Sequence, residues 1–255
     1  MQVTGNTILI TGGGSGIGRG LAEAFHALGN QVIIAGRRLQ MLDETTQANP
    51  GMKSLTVDMV NADAIAKFAA QAVEQFPSIN VLINNAGIMR SERLTAQQAD
   101  LADAEAIVAT NLLGPIRLTA ALLPHLQKQS SAAIINVSSG LAFVPLVYTP
   151  TYSATKAAIH SYSQSLRYQL RSTPVEVIEL APPYVQTHLM DGADDPRAMP
   201  LKEFLQEVME ILKTQPTPAE ILVERAKGLR NAEREGRYYG TFAGLNGGMA
   251  ERFEP

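Results

Sequence analysis

The sequence predicts an α/β domain: a doubly wound, mostly parallel sheet with helices on both faces, forming three layers. Three observations lead there. Short apolar runs recur at 7–11, 31–35, 54–57, 81–84, 133–137 and 175–180, and they read as strands buried on both faces. Between them, 17–28, 62–75, 99–127 and 152–171 carry apolar residues at helical spacing, so strand and helix alternate. The 255 residues are 45% hydrophobic, enough for a sizeable core, and no Pro/Gly/Ser-rich linker interrupts them, so one domain over 1–255 is expected.

The first run leads directly into Thr11-Gly12-Gly13-Gly14-Ser15-Gly16-Ile17-Gly18 and a helix. Glycines there permit a tight turn and close approach of backbone to ligand, while the amides and dipole at the helix start attract phosphate. About twenty residues further on, dinucleotide folds that prefer NAD place a carboxylate on the ribose 2′-hydroxyl. This chain has Ala35-Gly36-Arg37-Arg38 instead. A guanidinium suits a 2′-phosphate, so NADP(H) is favoured over NAD(H), with Arg37 as the expected phosphate ligand.

The run at 54–57 ends at Asp58, the run at 81–84 at Asn84-Asn85-Ala86-Gly87, and the helix at 99–127 contains Thr110-Asn111-Leu112-Leu113. Ser139 follows the next strand. Tyr152 and Lys156 then lie four positions apart, on one face of a helix. A free tyrosine titrates near ~10, and a cation beside it can lower that by roughly 1–3 units, so Lys156 is expected to ready Tyr152 as a general acid/base. Each residue also has an ordinary use: Ser139 and Asn111 as caps, Tyr152 and Lys156 as a half-exposed helical pair.

In order and spacing, Thr11 to Gly18, Asn84-Asn85-Ala86-Gly87, Ser139 with Tyr152-Ser153-Ala154-Thr155-Lys156, and Pro182 to Thr187 resemble the short-chain dehydrogenase/reductase family, in its compact single-domain branch. Its glycine pattern, Gly-x-x-x-Gly-x-Gly, is met by Gly12, Gly16 and Gly18. The resemblance implies a Rossmann-like fold and hydride transfer between nicotinamide and a carbonyl/alcohol substrate. It implies Ser139 on the substrate oxygen, Tyr152 as acid/base, Lys156 on the phenol and nicotinamide ribose, and Asn111 positioning a relay water. Asp58 is implied near adenine, Asn85 and Ala86 near the adenosine ribose, and Val185 and Thr187 near the nicotinamide. Two positions depart from the pattern: Pro183 stands where the family has glycine, removing an amide donor, and Ser15 stands where NADP-preferring members often carry a basic residue. A homodimer or homotetramer is expected.

Beyond the sixth strand, 186–200 is polar and rich in breakers, and an amphipathic helix follows, so a substrate lid is expected at about 186–215. Met89, Phe143, Leu146, Val147, Tyr148, Tyr184, His188 and Leu189 are candidate pocket walls, and 237–242 is a candidate last strand. No cysteine is present, which excludes disulfides and thiolate chemistry. His26, His125, His160 and His188 lie far apart, so no metal site is expected. A net charge of −3 without a basic run leaves no footprint for nucleic acid. No leader or spanning segment is read, so a cytoplasmic protein without membrane contact is expected. The alternative function is a binding protein that senses NADP(H) on the same fold without turnover.

Overall fold

The computed structural model describes residues 1–94, 101–190, 195–215 and 217–248. Seven parallel strands form one sheet, in the order β3-β2-β1-β4-β5-β6-β7. They are β1 (Thr7–Thr11), β2 (Gln31–Gly36), β3 (Lys53–Thr56), β4 (Val81–Asn84), β5 (Ala132–Val137), β6 (Val175–Leu180) and β7 (Glu220–Ile221). The chain order reverses direction across the sheet between β1 and β4, whose carboxyl ends are therefore a topological switch point where ligands bind in open α/β sheets.

Alternate residues of the central strands feed two cores. Ile8, Ile10, Ile34, Ile135, Ile178 and Leu180 pack under α1 (Gly16–Ala27) and α7 (Leu201–Thr214). Leu9, Ile33, Leu82, Ile134 and Val177 pack under α3 (Ala62–Gln75), α5 (Gly114–Leu126) and α6 (Pro150–Leu170). That double burial is why the strands read as continuous apolar runs. Helix α7 turns Phe204, Val208, Met209 and Leu212 into the first core, and Gly20 of α1 leaves room for Leu205. The helix expected to form part of a lid is thus a core element, while 191–194 of that expected lid lie outside the described residues.

Two expectations are corrected, and one helix was not foreseen. The stretch 39–48, too polar to carry a clear apolar face, is helix α2 (Leu39–Ala48), with Leu42 and Thr45 buried. The tail 237–242 is not a strand; it enters helix α9 (Tyr238–Asn246), where Tyr238 stacks on Phe242 one turn on and β7 takes the edge of the sheet instead. The helical stretch read from 99, whose first two residues lie outside the described ones, is composite. It runs through α4 (Ala102–Val108), a π turn (Ala109–Leu113) and α5. Its 25 residues include an 18-residue window with a mean hydropathy of 1.6, long and apolar enough by composition to cross a membrane, against expectation. Ile107, Leu118, Leu122 and Leu126 of this helix are buried in the protein's own interior.

Candidate active site

A cleft of about 930 Å³ runs along the carboxyl ends of the strands, from the β1–α1 loop to the start of α6. At one end, Gly12 and Gly16 hold left-handed backbone, at φ 69° and 54°, which a side chain would strain. Gly12, Gly14, Ser15, Gly16 and Ile17 line the cleft; Gly18 supports them from beneath. A Cβ on Gly18 would sit 2.3 Å from both the Gly12 carbonyl oxygen and Asn85 Nδ2. Gly18→Ala is therefore expected to cost about 1–3 kcal/mol through overpacking, more than the ~1 kcal/mol that alanine gains in a helix, and to weaken nucleotide binding as the loop shifts. A thermal melt and a nucleotide titration check both effects.

Asn85 ties this loop down: its Nδ2 donates to the Thr11 carbonyl at 3.0 Å, and its amide and that of Ala86 both donate to Thr11 Oγ1 at 3.1 Å. Asp58, Arg37 and Arg38 also face the cleft. Arg38 Nη2 donates to Ser15 Oγ at 3.0 Å, so the loop position that lacks a basic residue is reached by a guanidinium from β2's far end. The sequence favoured Arg37 as phosphate ligand; the contact of Arg38 with Ser15, 23 residues away, is brought about by the fold.

Ser139, Tyr152 and Lys156 converge at the opposite end. Ser139 caps the short turn Gly140–Ala142, accepting from the Leu141 amide at 3.1 Å, and its side chain hydrogen-bonds the Tyr152 phenol. Pro150 at the first turn of α6 and Glu92, which accepts from the Thr151 amide at 3.0 Å, fix where the helix begins. Glu92 was not foreseen, because only the fold brings it there. Lys156 Nζ donates to the Val137 carbonyl at 2.8 Å and lies 5.5 Å from the centre of the Tyr152 ring.

Burial pushes Tyr152 up to about 12, partly offset by Ser139, rather than down as expected from Lys156. The reason is that both side chains are desolvated together: burial also pulls Lys156 down to about 8, against the opposing pull of Glu179. The phenol is thus protonated at neutral pH.

Asn111 lies inside the π turn, where its side chain accepts from the Ile88 amide at 2.9 Å and donates to the Ile88 carbonyl at 2.8 Å and to Thr155 Oγ1 at 3.4 Å. Among the described residues lining the cleft, its neighbour Thr110 is included and Asn111 is not. Val185 and Thr187 line it, and Thr187 Cγ2 stands 3.4 Å from where a Gly16 Cβ would be, closing the cleft over the glycine loop. Pro183 also lines the cleft, while the Pro182 carbonyl accepts from the Gly140 amide at 2.8 Å.

Met89, Leu146, Tyr148, Tyr184, His188 and Leu189 form walls as expected, with Leu229 and Leu245 joining from α8 (Glu224–Arg230) and α9. Phe143 and Val147 turn to an outer groove instead. Asn246 holds α9 in place, its Oδ1 accepting from the Val147 amide at 2.9 Å and its Nδ2 donating to the Pro145 carbonyl at 3.1 Å. Behind the site, ligand-type atoms of His160, Glu179 and Glu220 lie within 4.8 Å of one another, a meeting the sequence spacing did not show. Arg230 pairs with Glu220 there, at 2.6 and 2.8 Å.

A family model described as short chain dehydrogenase matches residues 6–198. The uncharacterized oxidoreductase DltE of Bacillus subtilis (strain 168) is 42% identical over 239 residues, 92% of this chain and 94% of that protein. The crystal structure of a short-chain dehydrogenase from Burkholderia cenocepacia in complex with NADP superposes with a TM-score of 0.80 at 27% identity, covering 96% and 99% of the two chains. A serine dehydrogenase complexed with NADP+ gives a TM-score of 0.72 at 28% identity, covering 80% and 88%.

Proposed function

The chain belongs to the short-chain dehydrogenase family and is an enzyme of dehydrogenase/reductase type using a nicotinamide cofactor; from that premise we propose that it is an NADP(H)-dependent carbonyl reductase with Tyr152 as its general acid. One observation carries the reading: a single cleft joins the Ser15–Arg38 contact at one end to Ser139, Tyr152 and Lys156 at the other.

The residues fit the cofactor. The left-handed Gly12 and Gly16 leave a bare backbone cradle for the pyrophosphate, and Arg37 and Arg38 with Ser15 suit the 2′-phosphate. Asp58 and Ala86 face the adenosine end, Val185 and Thr187 the nicotinamide end. When bound, the reduced cofactor supplies hydride to the substrate carbon. The chain's part is proton transfer and orientation. The Ser139 hydroxyl holds the carbonyl oxygen, the Tyr152 phenol donates its proton to that oxygen, and Lys156 stabilises the phenolate left behind. A phenol protonated at neutral pH suits the reductive direction. Met89, Leu141, Leu146 and Leu245 then face an apolar portion of the substrate. A cytoplasmic setting and a symmetric oligomer belong to the same proposal.

The reading is tested by mixing protein and NADPH with a panel of ketones, aldehydes and quinones and following loss of absorbance by the reduced cofactor. Turnover of any member supports it; tight NADPH binding without turnover across the panel would favour a sensor. With a substrate in hand, the rate should hold a plateau through neutral pH and decline as pH rises through about 8. Burial depresses Lys156 to that value, so it is cationic below and neutral above. A rate still flat near pH ~10, the range of an ordinary lysine, would count against this role for Lys156.

A further inference from the structure

Helix α6 carries a stripe at four-residue spacing, Tyr152, Lys156, His160 and Gln164, of which only the first two belong to the site described above. His160 turns toward β6, where its Nδ1 meets Glu179 Oε2 at 2.7 Å, and its other nitrogen meets Gln164 Nε2 at 3.1 Å. Glu179 is wholly buried. It lies opposite Asn136 in the parallel register of β5 and β6, on the sheet face that α6 covers. Its second oxygen accepts a hydrogen bond from the Ser138 hydroxyl, next in sequence to Ser139. A carboxylate placed wholly out of water, and held by two side chains, is costly unless a cation answers it.

Charged groups of α6, β7 and α8 surround it, Arg230 among those that feel its charge. Glu220 of β7 and Arg230 of α8 are matched to each other by two hydrogen bonds, and Arg167 of α6 spends its guanidinium on the carbonyls of Val177 and Ala219, at 2.8 and 2.7 Å. His160 is directly bonded to Glu179, and Lys156, one turn earlier on α6, is buried with its Nζ on the carbonyl of Val137, the residue before Ser138. We propose that Glu179, clamped by His160 and Ser138, is a positioning residue for the reaction: it supplies the negative charge behind the catalytic helix that keeps Lys156 an ammonium ion. This rests on the role given to Lys156 above. It also makes the Ser138-Ser139 pair divide its work, one hydroxyl fixing the carboxylate and the other meeting Tyr152. The pull of Glu179 on Lys156 opposes the larger effect of burial, in the direction the proposal requires.

The test reads Lys156 directly and needs no turnover. In full-length protein labelled at the lysine ε-carbon with 13C, the Lys156 resonance is assigned by its loss in Lys156→Arg and followed against pH. Glu179→Gln keeps the shape and removes the charge, and is expected to lower the Lys156 midpoint by about one pH unit or more, at least a tenfold change in its acid constant. An unchanged midpoint in folded Glu179→Gln protein would overturn the proposal. Should that variant not fold, Glu179→Gln with His160→Gln, in which two amides replace the carboxylate and imidazole, decides by the same measurement: a lowered midpoint supports the proposal and an unchanged one overturns it. A protein without turnover on the carbonyl panel would defeat the reductase reading yet leave this titration to stand or fall alone. Where turnover is found, the decline in reduction rate is expected to move to lower pH in Glu179→Gln by the same interval as the Lys156 midpoint.

Discussion

Tyr152→Phe is expected to lower kcat/KM for carbonyl reduction by ~10²–10⁴, the range that a positioned proton donor contributes. The substitution removes one oxygen and leaves the ring, which is 6% exposed and packs with Met89, Ile107 and Leu146, so the fold and the apolar wall survive it. What it deletes is the proton delivered to the substrate oxygen and the hydroxyl that Ser139 engages. Phenylalanine leaves that Ser139 contact unmade, but Ser139 keeps the Leu141 amide and so holds its place. NADPH affinity should therefore change little, and the loss should fall in the chemical step. Pre-steady-state measurement of hydride transfer, beside a direct NADPH titration, separates the two. Full turnover by Tyr152→Phe would remove Tyr152 from the mechanism and direct attention to Tyr148, another phenol on the cleft wall.

The sequence disclosed those parts of the site whose chemistry is local. A glycine loop following a strand, and a tyrosine and lysine one helical turn apart, state their geometry in their own spacing, and the parallel layered sheet follows from alternation of apolar runs with helices. Interactions that depend on register between distant segments were hidden. Glu179 and His160 stand 19 residues apart and meet only because β6 lies beneath α6; read alone, an acid inside an apolar strand is an anomaly. Asn111 shows the opposite case, a residue whose position matches a family pattern while its side chain is taken by the Ile88 backbone. Tyr238, Tyr239 and Phe242 suggested a strand because aromatic residues favour the pleated surface, yet their i to i+4 stacking and the anchoring of Asn246 make a helix that delivers Leu245 to the cleft. The direction of the Tyr152 shift was likewise out of reach, since it turns on how completely both side chains are buried.

Replacing Arg37 and Arg38 together by alanine is expected to weaken NADPH by about 10- to 100-fold while leaving NADH nearly unchanged. The two cofactors share every group except the 2′-phosphate, so only residues that meet that phosphate can separate them. A charged hydrogen bond lost from a partly enclosed site costs roughly 1.5–3 kcal/mol, which is the stated factor. The single variants should be unequal in kind. Arg38 spans to Ser15 Oγ across the mouth of the glycine loop, so Arg38→Ala also frees that hydroxyl, and Ser15→Ala should reproduce a small part of its loss. Arg37, the residue the sequence alone favours, lines the same pocket without that contact among its described hydrogen bonds, so its effect should be charge alone and should fade as salt is raised. Dissociation constants for both cofactors, measured by fluorescence titration at low and high salt, decide the matter. Equal losses for NADPH and NADH in the double variant would show that the arginines shape the loop rather than read the phosphate, and the preference for NADP(H) would have to be sought elsewhere in the cleft.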